Sequence, residues 1–157
     1  MNQTLLWHYT IWNGRAELIL ETGVIRPANE LLEEGEKPVV WFSRNEVWER
    51  SAAKTAIRNF GGKLKYPSQE AEHRDGGGLW RFGVEEATAP HGWGSFLKLS
   101  CATNRTRQRI EDAAGDARSN VHRYRFTFED VPRDKWVAVE KWDGGRWIDA
   151  GVNPCHP

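Results

Sequence analysis

A histidine and a threonine stand at the end of the first predicted strand. Residues 5–10 read Leu-Leu-Trp-His-Tyr-Thr, a short apolar and aromatic run that ends in a polar residue, as is typical of a β-strand. His8 and Thr10 are two positions apart, so their side chains lie on the same side of that strand. Such a pair can bind the hydroxyls of a ribose and an amide. The same residues also fit a histidine packed in the core, and both interpretations stay open.

Arg81 is a cation inside a second apolar run, the predicted strand 79–84. A buried or half-buried arginine needs an anionic partner, because its charge cannot be left unpaired away from water. That partner could be the phosphate or pyrophosphate of a ligand. It could equally be an acid of the protein itself, such as Glu85.

The predicted strand 39–43 is followed directly by a predicted helix. The residues Ser43-Arg44-Asn45-Glu46 fit the S-x-x-E capping box that begins many helices. An apolar stripe recurs every four residues and reaches the Gly61-Gly62 pair that would end the helix; it is Trp48, Ala52, Ala56 and Phe60. On this prediction Ser43 is a helix cap, and Glu49, beside Trp48, is an exposed residue of the helix or, alternatively, faces a cleft from it.

The other elements follow from local patterns. A helix capped by Asn13 is expected to end at Gly23. The further predictions are a short strand or helical turn at 96–100, a helix over about 104–118, a strand over 123–129, and a hairpin of strands 136–142 and 146–150 around Asp143-Gly144-Gly145. Residues 61–78 are glycine-rich, charged and without periodicity, which predicts a mobile loop. The class is α+β, in one domain over 1–157.

Composition narrows the possible functions. The chain has 157 residues, and its 22 Lys and Arg balance its 22 Asp and Glu, which excludes a highly basic nucleic-acid sleeve but not a local basic patch. No apolar run approaches the roughly 20 residues of a membrane span, and the first residues lack a secretion-signal pattern. With two cysteines and no disulfide framework, we expect a cytoplasmic protein without a membrane partner.

The order of these motifs resembles the ADP-ribosyltransferase fold. His8-Tyr9-Thr10 comes first, a short helix ending in Gly23 follows, and then come Val40-Trp41-Phe42-Ser43 and Ser51-Ala52-Ala53. The catalytic domains of poly(ADP-ribose) polymerases and smaller bacterial and phage relatives begin in the same order. The resemblance covers residues 5–55. It implies split antiparallel β-sheets with flanking helices, and an NAD-dependent enzyme that transfers ADP-ribose to a macromolecule, or to water, with release of nicotinamide.

The resemblance also implies roles for individual residues. His8 would hold a ribose hydroxyl of NAD with Thr10 beside it, and the backbone of Tyr9 would grip the nicotinamide carboxamide. Trp41 would stack on the nicotinamide ring, where many members of the family have a tyrosine. Ser43 would border the same cleft, unless helix capping is its whole role.

A carboxylate completes the implied site. Cleavage of the bond between nicotinamide and ribose develops positive charge on the sugar, which a nearby carboxylate stabilises. In the family this residue lies on a late strand, and Glu140, which ends Trp136-Val137-Ala138-Val139-Glu140, is the first candidate. The competing acids are Glu85, Glu86, Glu129 and Asp149. A solvated surface pair of Glu140 with Lys141 is the alternative interpretation.

Two other classes of function stay open. One is a non-catalytic module that binds a nucleotide or a nucleic-acid end, or inhibits by surface contact. The other is an enzyme similar to the RNA 2′-phosphotransferases, which resemble this family, use NAD and rely on Arg and His. Arginines concentrate in 104–125, which predicts a solvated helix face or, alternatively, phosphate contacts; they are Arg105, Arg107, Arg109, Arg118, Arg123 and Arg125. No metal site is predicted, and Cys155-His156 lacks further ligands at zinc spacing.

Overall fold

The fold is built around one seven-stranded antiparallel sheet. The computed structural model describes residues 3–28 and 32–153. The strands are β1 (Leu6–Ile11), β2 (Val24–Ile25), β3 (Val40–Ser43), β4 (Ile57–Arg58), β5 (Leu64–Lys65), β6 (Leu79–Val84), β7 (His91–Gly92), β8 (Tyr124–Thr127), β9 (Val131–Pro132), β10 (Trp136–Trp142) and β11 (Trp147–Asp149). The large sheet has the order β11-β10-β6-β1-β3-β8-β7, while β2 pairs with β9 and β4 with β5.

Within the described residues, four α-helices accompany the sheet. They are α1 (Glu17–Thr22), α2 (Gln69–Asp75), α3 (Phe96–Ser100) and α4 (Asn104–Ala117). With the antiparallel sheet they confirm the predicted α+β class. In the part of the chain that the structure describes, no helix combines the length and the apolar character that crossing a bilayer requires.

The sheet consists of two halves that meet at a single paired position. On one side β1 pairs with β6 along its whole length, from Leu6 opposite Val84 to Ile11 opposite Leu79. On the other side β1 and β3 are registered only where Trp7 faces Ser43. The halves β11-β10-β6-β1 and β3-β8-β7 therefore separate beyond this point, which leaves a gap between neighbouring strands.

Alternation of side chains along the strands gives the sheet two apolar faces. Leu6, Phe42 and Phe82 belong to one buried cluster, against which Ile19 and Leu20 of α1 pack. Phe126 belongs to the other, together with aromatic and aliphatic side chains that include Trp41, Phe96 and Ile110. Helix α1 thus covers one face, and α3 and α4 cover the other.

The prediction of a helix after Ser43 is wrong. Residues 44–56 form an irregular segment with a single 3₁₀ turn at Arg50–Ala52, and β4 begins at Ile57. Phe60, expected on a buried stripe, is fully exposed. Ser43 Oγ accepts a hydrogen bond from Asn45 N at 3.0 Å, so the serine supports a turn in place of a helix.

Two other predictions also need correction. The segment 61–78, predicted as a loop, contains β5 and α2, and Ser68 caps α2 by accepting a hydrogen bond from Ala71 N at 3.1 Å. Helix α1 begins at Glu17 and not at a cap on Asn13, because Gly14, directly after Asn13, has φ 68° and is not helical. Its predicted end is confirmed by Gly23, which has φ 71°.

The remaining predicted elements are confirmed within a few residues. They are β1, β3, β6, α4, β8 and the hairpin of β10 and β11, and the segment 96–100 is helical.

Candidate functional site

A pocket of about 230 Å³ lies over the junction of β1 and β3. Its floor is residues 7–9 of β1 and 41–43 of β3, and its walls come from the segment 49–54, from α4 and from Tyr124 of β8. His8 and Trp41 both line it, so the two residues that the resemblance assigns to the nicotinamide end of NAD lie at one site. The pocket occupies the place where the two halves of the sheet begin to separate.

His8 bridges the gap between the two strands. Its Nδ1 lies 2.9 Å from the backbone oxygen of Trp41. A carbonyl oxygen only accepts, so Nδ1 carries the proton of this bond. Burial, followed by the charge of Lys54, lowers the pKa of His8 to about 4, against the opposing effect of its bond to Trp41. The imidazole is therefore neutral at pH 7, and its Nε2 is an acceptor suited to a hydroxyl group.

Trp41 belongs to an aromatic cluster beside the pocket. Its ring centroid lies 5.0 Å from that of Phe96, 5.4 Å from that of Phe126 and 6.0 Å from that of Tyr124. These contacts fix the plane of the indole, which is half-buried. A planar ligand would meet a preformed aromatic surface here.

Glu49 is a buried carboxylate in the wall of this pocket. It is 4% exposed, which contradicts the expectation of a solvent-facing helix residue. Its Oε1 accepts a hydrogen bond from Ser43 Oγ at 2.8 Å. Its Oε2 accepts from Ser51 Oγ at 2.9 Å and from Ser119 Oγ at 2.5 Å. Neutral hydroxyls thus satisfy the carboxylate, and no Arg or Lys side chain is among these donors.

Side-chain hydrogen bonds shape the segment that carries Glu49. Asn45 accepts from Val47 N at 3.1 Å and donates its Nδ2 to the oxygen of Trp48 at 2.6 Å, which turns the chain back over β3. Further along, the wholly buried Glu72 of α2 accepts from Lys54 N at 2.5 Å and from Thr55 N at 3.2 Å. The segment is therefore held from both ends.

Glu140 and Arg81 lie elsewhere on the sheet and bind each other. The Nε of Arg81 donates to Oε2 of Glu140 at 2.6 Å, and Nη2 lies 2.5 Å from the same oxygen. The guanidinium carbon is 3.8 Å from the ring centroid of Trp7 and 4.4 Å from that of Trp147. Neither Arg81 nor Glu140 lines the pocket, although Trp7 and Tyr9, which both contact Arg81, do. Arg81 thus has the internal acidic partner considered for it, although that acid is Glu140 and not Glu85.

The competing acids are also outside the pocket. Glu86 is paired with Arg44 and lies 3.7 Å from Arg125. Asp149 accepts a hydrogen bond from Gly151 N at 2.6 Å. Glu85 and Glu129 line a different depression on the surface. Among the described acids, Glu49 is the one that lines the pocket of His8.

Three other predicted ligand contacts have different outcomes. Ser43 lines the pocket and donates to Glu49. Tyr9 also lines it, and its hydroxyl donates to the oxygen of Asn45 at 2.5 Å; burial raises the pKa of this phenol to about 12. Thr10 is buried opposite Trp80 and is not part of the described pocket lining.

The sequence predictions missed several residues of the site. Ser51, Lys54 and Tyr124 line the pocket, and Ser119 completes the hydroxyl cluster. One signal favours the cleft-facing alternative for Glu49: an acid set among Trp48, Ala52 and Ala53 is unusual for a solvated face. The assumed helical period assigned it to the wrong side.

No group of three or more His, Cys, Asp or Glu side chains suited to a metal occurs within residues 3–28 and 32–153. Cys155 and His156 lie outside the described residues.

Comparisons of the chain with protein-family models, with curated proteins and with solved structures found no match.

Proposed function

We propose that this protein is an ADP-ribosyltransferase-type enzyme that binds the nicotinamide riboside part of NAD in the pocket at the β1–β3 junction. One observation carries the proposal: a neutral histidine, an aromatic wall and a buried carboxylate line one cavity. On this proposal the two diverging halves of the sheet are the split sheets of an ADP-ribosyltransferase-like fold, and the enzyme acts in the cytoplasm.

The size and lining of the pocket fit part of a dinucleotide. At about 230 Å³ it is below the roughly 300–1,000 Å³ of sites that enclose a drug-sized ligand. It suits one ring with part of a sugar, and the remainder of NAD would extend past its rim. Lys54 lines the pocket and is exposed, so it is placed to meet a phosphate there.

His8 would orient the ribose. Because its Nδ1 donates to the oxygen of Trp41, its neutral Nε2 is left to accept a hydrogen bond from a ribose hydroxyl. The ring of Trp41, held by Phe96 and Phe126, would supply the surface for the nicotinamide ring.

Glu49 takes the role that the resemblance implied for Glu140. When the bond from the anomeric carbon to the nicotinamide nitrogen breaks, its electron pair leaves with nicotinamide and the sugar becomes cationic. The Glu49 carboxylate would stabilise that cation. An acceptor O–H or N–H then forms the new bond to the anomeric carbon, and its proton passes to the Glu49 carboxylate and on to water. Glu140 is unsuited to this role because its charge is already compensated by Arg81.

Release of nicotinamide from NAD tests the proposal. We expect the wild-type protein to release nicotinamide in the presence of a mixed set of protein, DNA and RNA acceptors, as measured by chromatography. His8→Ala should reduce the rate about a hundredfold or more, with folding checked by circular dichroism. The matched control His122→Ala, at an exposed histidine, should leave the rate unchanged.

Two results would contradict the proposal in different ways. NAD binding measured by calorimetry without any release would indicate the non-catalytic nucleotide-binding module. If the protein neither binds NAD nor releases nicotinamide, NAD is not its ligand. An RNA 2′-phosphotransferase-like reaction is less well supported, because Arg81, on which it would depend, is bound to Glu140.

A further inference from the structure

A groove of about 790 Å³ runs between the β4–β5 hairpin and helix α4, next to the candidate active site. Ala113 of α4 lines both the groove and the pocket. A ligand lying along the groove would therefore reach the site from the side of α4. The groove plays no part in the proposed binding of NAD.

Basic side chains line both walls of this groove. Arg58 and Lys63 lie on the hairpin wall, and Arg105 and Arg109 lie on the helix wall. Arg105 and Arg109 are four residues apart, so they share one face of α4 about 6 Å apart along its axis. Arg105 lies 3.7 Å from Glu33 but keeps 85% of its side chain exposed. This pattern suits a ligand that carries anions at regular intervals.

Three acids also line the groove, and each has a local partner. Asp116 accepts a hydrogen bond from Leu64 N at 3.1 Å, which attaches the hairpin to α4. Asp112 accepts from the Gln108 amide at 2.9 Å, and Glu111 lies 3.9 Å from Arg107. The acids thus stabilise the walls of the groove.

An aromatic ring projects from the tip of the same hairpin. Phe60 is fully exposed, and Ile57 at the start of β4 is 65% exposed. Asn59 accepts hydrogen bonds from Gly61 N at 2.9 Å and Lys63 N at 3.1 Å, which fixes the turn that presents the ring. An exposed aromatic beside a basic groove is the arrangement that stacks unpaired bases while cations follow the phosphates.

We infer that this groove binds single-stranded nucleic acid, with Phe60 stacking on a base, and that the acceptor of the reaction is therefore a nucleic-acid strand. The assignment of the acceptor rests on the proposed function, whereas binding to the groove does not. A duplex is excluded as the preferred ligand because its bases are already stacked and cannot pack against Phe60.

Fluorescence anisotropy without NAD tests the groove by itself. Labelled 20-nucleotide oligo(dT) and oligo(U) are titrated against the full chain at several salt concentrations, with a duplex of the same length and a poly-glutamate peptide as comparisons. We expect at least one single strand to bind more tightly than the duplex and the peptide. A preference between the DNA and the RNA would identify the sugar.

Variants then locate the binding surface. Phe60→Ala should weaken single-strand binding about fivefold or more. Lys63→Ala and Arg105→Ala should each reduce the slope of log K against log salt by about 0.7. The controls are Val137→Ala, at another exposed apolar residue, and Lys141→Ala, at an exposed cation outside the groove; both should bind as wild type does.

The inference would be overturned by no binding to either single strand, by duplex binding at least as tight, or by equal loss in the control variants. Poly-glutamate binding that is stronger and sensitive to Phe60 would show instead that the groove takes an acidic protein segment. Strand binding without nicotinamide release would leave the groove established while contradicting the proposed enzyme, so the two failures are distinguishable.

Discussion

Glu49 is buried and the Glu140 side chain is 25% exposed, and the protein satisfies the two carboxylates in different ways. Glu140 shares its charge with Arg81, whose guanidinium is packed between the indoles of Trp7 and Trp147. Glu49 is bound by the hydroxyls of Ser43, Ser51 and Ser119 and lines a cavity. A carboxylate that is paired with a cation inside a sheet serves the fold. A carboxylate held by neutral donors keeps its negative charge available to a ligand.

The largest expected effect comes from breaking the ion pair of Arg81 and Glu140 on the sheet. Arg81→Met leaves the partly buried Glu140 without its cation and removes a buried guanidinium from between Trp7 and Trp147, and we expect a loss of about 3–5 kcal/mol in the free energy of unfolding. Urea denaturation followed by tryptophan fluorescence measures it.

The double variant Arg81→Met/Glu140→Met provides the control, because it removes both charges together. It should lose less than half as much stability as the single variant. Equal losses in the two variants would mean that the pair does not account for the stability of this region.

The second expected effect is a loss of folding stability at low pH. The folded-state pKa of His8 is about 4, below its ordinary value of 6.5, because burial disfavours the charged form. As pH falls from 7 to 4, the unfolded chain takes up this proton before the folded protein does, so folding becomes less favourable. The His8 contribution should amount to about 3 kcal/mol over that range.

His8→Gln isolates this contribution. The unfolding free energies of wild type and variant are measured from pH 7 to pH 4. The wild-type value minus the variant value should decrease as the pH falls. A difference that stays constant with pH would show that His8 titrates normally.

A smaller effect probes the hydroxyls around Glu49. Ser119→Ala removes one hydrogen bond of 2.5 Å and should cost about 1 kcal/mol, since Ser43 and Ser51 still bind the carboxylate. Ser95→Ala, at an exposed serine, is the control and should change the unfolding free energy little in the same denaturation experiment. A cost above that of Arg81→Met would reverse the comparison between the two carboxylates.

The strands could be predicted from the sequence because their signals are local. Alternation in 123–129 and the Asp143-Gly144-Gly145 turn each specify a structure within a few residues, and β8 and the β10–β11 hairpin follow them. The order of the motifs alone predicts that His8 and Trp41 line one pocket, because the resemblance to the ADP-ribosyltransferase fold places them on neighbouring strands.

The hydroxyl partners that bury Glu49 could not be predicted, because one of them is distant in the sequence. Ser43 to Glu46 fits a capping box, but Ser43 binds Glu49 instead, and Ser119 reaches the same carboxylate from 70 positions away. The pairing of Arg81 with Glu140 could not be predicted for the same reason, since β6 and β10 become neighbours only in the sheet. Local patterns therefore predict most of the strands and helices, but they do not predict which partners bind Glu49 and Glu140.

The most direct test of the central claim compares Glu49→Gln with Glu140→Gln in nicotinamide release from NAD, each corrected for the folded fraction. Both changes remove one charge with little change of shape. We predict that Glu49→Gln lowers kcat about a hundredfold or more, with KM little changed, while Glu140→Gln stays within about threefold of wild type. A hundredfold loss in Glu140→Gln together with normal release by Glu49→Gln would contradict the account.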